Sequence, residues 1–211
     1  MSAVIPHKEA ALERITQLLA KQNDRYLIGI VGKPGAGKST LSRYLIDNLA
    51  GKPLTVVPMD GYHLSNLVLQ ELGRADRKGA PDTFDVQGFT TLLKRIRSEK
   101  TTDIYYPIFD RSIEESIAAQ GVVGSDTKLV IVEGNYLLHG AGGWEAVAGL
   151  LDEVWFIEVD DEIRLKRLIE RHITFGKSPA DAEAWSRGSD EVNAKIIAQT
   201  KDRAQFIIKL E

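Results

Sequence analysis

One short segment has the residue types and spacing to hold a polyphosphate: Gly32-Lys33-Pro34-Gly35-Ala36-Gly37-Lys38-Ser39. It fits the spacing of a glycine, four residues, then Gly-Lys-Ser/Thr, and it lies where an apolar strand runs into a helix. Glycines at 32, 35 and 37 let the backbone turn tightly, so that several N–H groups, Ala36's among them, face one phosphate. The helix beginning near Lys38 points its positive dipole end at the same anion. Lys38 supplies a point charge for the β- and γ-phosphates. The Ser39 hydroxyl is a hard oxygen suited to Mg²⁺, and Thr40 is placed to reach the α-phosphate. Lys33 is read as a solvated side chain.

A phosphoryl transfer needs more than a phosphate cradle. Asp60, in Met59-Asp60-Gly61-Tyr62-His63, follows a second apolar strand, and Gly61 beside it leaves room for a close approach. A carboxylate there is a candidate base for a hydroxyl proton, or an orienter of Mg²⁺ through water. An ordinary Asp-Gly turn is the competing reading. Glu133 ends the most apolar strand, where a P-loop protein carries its magnesium-side acid, although Asp is more usual there. Arg164, Arg167 and Arg171 recur at three- and four-residue steps and so share a helix face. They read as a lid over residues 164–188, with Arg167 reaching the nucleotide and Arg171 the transferring phosphate. A solvated face balanced by Asp161, Glu162 and Glu170 competes with that reading.

These groups must be positioned by an alternating frame. Helical spacing is seen over residues 8–21, 39–49, 86–98, 144–151, 161–175 and 190–200. Apolar runs at 26–31, 54–57, 103–109, 129–132, 154–159 and 205–210 read as strands. Residues 65–85 read mostly as loop, and 112–126 is ambiguous. Alternating apolar strands and helices mean a parallel sheet covered on both faces, with ligands at the carboxyl ends of its strands. The glycine loop, Asp60 and Glu133 all fall at that edge. Trp144, Trp155 and Trp185 read as core or interface anchors.

Composition narrows the partners. With 211 residues, 43% hydrophobic and 27% charged, one α/β domain over 1–211 is expected. A net charge of −3 gives no grip on nucleic acid. Zero cysteines exclude disulfides and thiolate chemistry. No apolar stretch approaches the roughly 18 residues of a membrane span, and residues 1–9 lack a secretory pattern, so a cytoplasmic enzyme is expected. No Asn/Thr-Lys-x-Asp guanine reader is present, which disfavours a GTPase switch.

The order Gly32 to Ser39, Met59-Asp60-Gly61-Tyr62-His63-Leu64, Val132-Glu133-Gly134-Asn135, then the arginine helix resembles the uridine kinase, phosphoribulokinase and bacterial pantothenate kinase family. The likeness runs from about residue 26 to 208. It is greatest for bacterial fructose-transport-associated kinases. The resemblance implies a P-loop NTPase fold with a five-stranded parallel sheet, flanking helices and a helical lid. It also implies ATP- and Mg²⁺-dependent transfer to a small-molecule hydroxyl with Asp60 as base, and a homodimer. Residues 78–85 and 106–112 look like the family's acceptor segments. Tyr62, His63, Asp85, Asp110 and Arg111 are therefore the acceptor candidates; Arg111 is read either as a structural ion pair with Asp110 or Asp85 or as binding a carboxylate or phosphate on the acceptor, which would point to an acidic substrate. Asp190 reads as a helix cap, and Asn193 as a cap or nucleotide contact. Phe175-Gly176 and His172 stand where uridine kinases carry Arg-Gly and Asp. A sugar or sugar-like polyol ranks first as acceptor, then a nucleoside, then pantothenate. A regulatory, non-catalytic ATP-binding module is the alternative.

Overall fold

The computed structural model describes residues 2–21 and 24–210. Met1 and Glu211, the bounds of the expected single unit, lie outside the described residues. Along the chain run β1 (Ala3–Ile5), α1 (Lys8–Lys21), β2 (Tyr26–Val31), α2 (Lys38–Asn48), β3 (Leu54–Pro58), α3 (Asn66–Glu71) and α4 (Val86–Ser98). Then follow β4 (Ile104–Asp110), β5 (Glu115–Val123), β6 (Leu129–Gly134), β7 (Glu153–Glu158), α5 (Asp161–Thr174), α6 (Pro179–Arg187), α7 (Ser189–Ala198) and β8 (Phe206–Lys209).

The main sheet has the order β1-β8-β7-β2-β6-β3, and every pairing in it is parallel. Five of these strands are those expected. The short β1 adds a sixth at the β8 edge, with Ala3 opposite Phe206. Strand residues alternate between two cores, as a period of two requires. On β2 and β6, Leu27, Val31, Val130 and Val132 face the side filled by Phe89 and Trp144. Ile28, Ile30 and Ile131 face Ala11, Ile15, Leu41, Leu45 and Trp155. Continuous apolar strands thus mark a sheet buried on both faces.

β4 does not join this sheet. It pairs antiparallel with β5 as a separate hairpin, so the ambiguous stretch 112–126 is largely strand. Within residues 65–85, Ser65 caps α3 by accepting from the Val68 N–H. The span 144–151 forms two 3-10 turns rather than one helix. α6 was not legible: Ser178 caps it and Pro179 opens it, but most of its surface is exposed and carries no apolar stripe. Among the described residues, no helix is long and apolar enough to cross a membrane.

A buried acid anchors the base of the sheet. Glu153, 4% exposed, opens β7. Arg14 of α1 grips it with Nε at 2.6 Å and Nη2 at 2.5 Å, and the Trp155 indole N–H donates to the same carboxylate. Arg14→Ala would leave that carboxylate without its counter-charge, and an uncompensated buried charge is strongly destabilising. We expect a loss of about 3 kcal/mol in denaturant unfolding, with the slope unchanged.

Candidate active site

The turn between β2 and α2 is shaped by Gly35 and Gly37, whose φ angles are 78° and 92°. A side chain would be strained at either position, and a Cβ on Gly35 would lie 2.5 Å from the Arg164 carbonyl oxygen. Lys38 Nζ folds back into the loop. It donates to the Gly32 carbonyl at 2.8 Å, the Lys33 carbonyl at 3.3 Å and Asn135 Oδ1 at 2.6 Å. Burial pulls the Lys38 pKa down to about 8; Asp60 and Glu133 oppose that shift, and Arg171 and Arg111 assist it. Glu133, at the end of β6, accepts from the Ser39 hydroxyl at 3.1 Å and the Ser42 hydroxyl at 2.9 Å. Burial raises its pKa, with neighbouring Asp60 adding to the effect.

Asp60 sits in a 3-10 turn that follows β3 directly. Arg111, in the turn of the β4–β5 hairpin, donates from Nη2 to Asp60 Oδ2 at 2.8 Å. Burial alone would raise the Asp60 pKa, but Arg111, His63, Lys38 and Arg171 together hold it below the usual value. His63 shares its Nδ1 with the Asp60 carbonyl at 2.7 Å and lies between the rings of Phe84 and Phe109, at 4.1 and 4.7 Å. The space at Gly61 serves the hairpin: a Cβ there would fall 2.0 Å from the Pro107 carbonyl oxygen. Glycine thus lets β4 press against the Asp60 turn.

Lys38, Ser39, Thr40, Asp60, His63, Arg111, Glu133, Arg167 and Arg171 line one cavity of about 790 Å³, at the carboxyl ends of β2, β3 and β6. Other expected residues stand elsewhere. Gly32 and Ala36 are inside the turn rather than on the cavity wall: the Ala36 N–H donates to the Lys33 carbonyl, and its methyl is buried. Tyr62 packs edge-on against Phe89 at 5.3 Å, in the core. Asp85 caps α4 by accepting from the Gly88 N–H at 2.8 Å. Asp110 caps its own turn through the Ser112 N–H and hydroxyl. Arg111 pairs with Asp60, not with Asp85 or Asp110.

The three arginines of α5 do not act alike. Arg164 is fully buried, with Nε on Asp161 at 2.8 Å and Nη2 on Glu191 of α7 at 2.6 Å, under the phosphate loop. It braces the loop, one helical turn before Arg167 and two before Arg171, both of which line the cavity. Lys33 is not simply solvated: its Nζ meets Asp161 at 2.7 Å. Asp190 does not cap α7, whose capping position is Gly188; its carboxylate meets His172 Nε2 at 2.8 Å. Trp185 lies at the cavity with Lys177 4.6 Å from its ring centre, whereas Trp144 and Trp155 are core.

Sequence reasoning passed over Ser42 and Asn66, and met Lys78 and Asn135 only as members of the segments 78–85 and 132–135. Ser42 stands three residues after Ser39 on α2, the one signal available for it. Asn135 follows Glu133 off the same strand. Asn66 and Lys78 sit in a stretch read as loop, and only the fold brings them to the cavity.

A phosphate-binding loop on a parallel sheet, acids at the ends of the next two strands to one side, β6 and β3, and arginines overhead define the P-loop kinase class. Comparison with known proteins agrees. The profile of the Phosphoribulokinase / Uridine kinase family matches residues 27–210. A protein of Schizosaccharomyces pombe provisionally named uridine kinase C227.14 is 32% identical over 204 residues, covering 90% of this chain and 86% of that protein. The ATP-dependent kinase-like protein notR' of Aspergillus versicolor is 35% identical over 159 residues, or 71% and 92% of the two chains. A crystal structure from Silicibacter sp. TM1040, provisionally described as a fructose transport system kinase, superposes with a TM-score of 0.85 at 36% identity, covering 95% of this chain and 98% of that one. This chain belongs to the phosphoribulokinase / uridine kinase family, a family of P-loop kinases.

Proposed function

We propose that this protein is an ATP- and Mg²⁺-dependent kinase that moves the γ-phosphoryl group onto a hydroxyl of a small metabolite, a sugar or sugar-like polyol of the fructose type. The observation that carries this reading is the meeting of Lys38, Asp60, Glu133 and Arg171 in one cavity. A bare nucleotide-binding module needs the loop and its cation, but it has no use for a second carboxylate held ionised beside them. The sugar-like acceptor is supported by the likeness to the Silicibacter protein.

In this reading the N–H groups of Gly35 and Gly37, with Lys38 and Arg167, hold the triphosphate of ATP. Asp60 takes the proton of the acceptor hydroxyl as its oxygen forms a bond to the γ-phosphorus, and the β–γ bridging oxygen leaves with ADP. Arg171 balances charge on the transferring group. Of residues 164–188, the part beyond the buried Arg164 serves as a lid: the later turns of α5 and α6 close over the phosphates and keep water out. The donor set suits Mg²⁺. The Ser39 hydroxyl and Glu133 carboxylate are hard oxygens beside the loop. Among the described residues, no cluster of three or more His, Cys, Asp or Glu is placed to hold a metal ion by itself. Ser39 and Glu133 would hold Mg²⁺, which would neutralise negative charge on the phosphate oxygens.

The test is acceptor-dependent ADP release with Mg²⁺-ATP across fructose, other sugars, polyols, nucleosides, pantothenate and glycerate. One strongly stimulating acceptor is the expected result. ATP binding without stimulation by any compound would favour the regulatory module.

A further inference from the structure

The helix after the phosphate loop packs an apolar face on the sheet, and one buried residue of that face is polar. Leu41 and Leu45 of α2 lie in the core with Ile131 of β6. Ser42, next to Leu41, is 3% exposed. A serine inside a helix often bonds back to the carbonyl four residues earlier. Here the hydroxyl turns to the sheet instead, and Ser42 Oγ donates to Glu133 Oε2 at 2.9 Å. Side chains alternate along β6, so Glu133 shares the face of Ile131, the one that α2 covers.

Glu133 is thus held twice by one helix. Ser39 and Ser42 are three residues apart and share a face of α2. Ser39 donates to Oε1 at 3.1 Å, while Ser42 takes Oε2. The two hydroxyls differ in where they stand. Ser39 and Glu133 line the cavity, whereas Ser42 lies behind them on the core side. A glutamate has one more torsion than the aspartate more usual at this strand end, so its carboxylate has more ways to turn aside. The bond from Ser42 takes up that freedom before any ligand arrives. Carboxylates that hold metal ions are commonly fixed by hydrogen bonds of this kind from outside the metal's own ligands.

We propose that Ser42 is a positioning residue for Glu133: by holding Oε2 it keeps Oε1 beside the Ser39 hydroxyl at the cavity, so that both oxygens are in place for Mg²⁺. This rests on the kinase reading above, in which Ser39 and Glu133 hold that ion, and it extends that reading to a residue which touches neither ion nor nucleotide. Ser42 acts through Glu133 alone.

The experiment is calorimetric binding of a non-hydrolysable ATP analogue to the full chain, once with excess Mg²⁺ and once with EDTA. The ratio of the two affinities measures how strongly the ion is coupled to the nucleotide. In Ser42→Ala we expect the affinity in EDTA to match the wild type and the affinity in Mg²⁺ to fall by about tenfold or more, the scale for losing a partner that orients a metal ligand. Ser42→Cys, which fills nearly the same volume with a poor donor, should behave like the alanine variant. Glu133→Gln should lose the coupling as well, and adding Ser42→Ala to it should cost nothing more. A merely structural Ser42 would weaken binding alike with and without Mg²⁺, or add its loss to that of Glu133→Gln; either result overturns the proposal. So does full coupling in both Ser42 variants where Glu133→Gln has lost it, and that outcome leaves the kinase reading standing. If Glu133→Gln keeps the wild-type coupling, or Mg²⁺ makes no difference to the wild type, the magnesium side of the kinase reading falls and Ser42 with it.

Discussion

Asp60→Asn should lower acceptor-dependent phosphoryl transfer by at least about a hundredfold, within the range of general-base contributions, while ATP still binds. The substitution keeps the size of the side chain and an oxygen for Arg111 Nη2, now 2.8 Å away. It removes the negative charge and with it the capacity to take a proton. The direction of the wild-type pKa adds a second reading. Arg111, His63, Lys38 and Arg171 outweigh burial and keep Asp60 below its usual value. A carboxylate with a depressed pKa stays ionised, and so able to act as base, into more acidic solution. The acid limb of wild-type turnover should therefore fall below the ordinary carboxylate range. Single-turnover transfer measured against pH, beside ATP binding by calorimetry, tests both statements. Unchanged transfer in the variant would remove Asp60 from the mechanism.

Lys38→Ala should reduce kcat/KM for ATP by about a hundredfold or more, the scale seen when one preorganised charge donor is removed from a transferring group. Its ammonium is hemmed in by the Gly32 and Lys33 carbonyls and Asn135, so it is already aimed and loses little freedom when phosphate arrives. The same burial that lowers its pKa to about 8 means that the free protein binds this proton less tightly than an exposed lysine does. A triphosphate in the loop favours the charged form. ATP affinity should then be flat below pH 8 and decline above it in the wild type, and lose that dependence in Lys38→Ala. A fold check by far-ultraviolet circular dichroism accompanies the kinetics. Normal ATP use by the variant would end the assignment of the loop.

In the proposed reading the hairpin forms the acceptor side, and its case shows where local reading stops. Residues 103–109 have the alternation of a strand, and nothing local says whether such a strand enters the parallel sheet or leaves it. The answer lies at Gly61, far away in sequence, whose missing Cβ leaves space for the Pro107 carbonyl. Once β4 docks there, Arg111 reaches Asp60 across 51 residues of chain. Lys78 similarly reaches the Glu114 carbonyl across 36.

The proposed phosphate side was legible in the sequence. That side is local: glycines at 35 and 37 permit the φ angles of the turn, a continuous apolar strand precedes it, and Lys38 and Ser39 open the helix that follows. Asp60 and Glu133 were legible for a related reason. In a parallel sheet, the residue after an apolar strand must emerge at the ligand-binding edge. The tertiary structure alone decided which charges serve that edge. Arg164 and Arg171 share a helix face, yet Glu191 and Asp161 close over one, while the other opens on the cavity. Asp85 and Asp110 are acids of the same kind as Asp60, but nearby backbone N–H groups claim them as caps. Side-chain type states what a residue is able to do. Its partners across the fold settle what it does, because burial and pairing, unlike propensity, depend on residues far away in the chain.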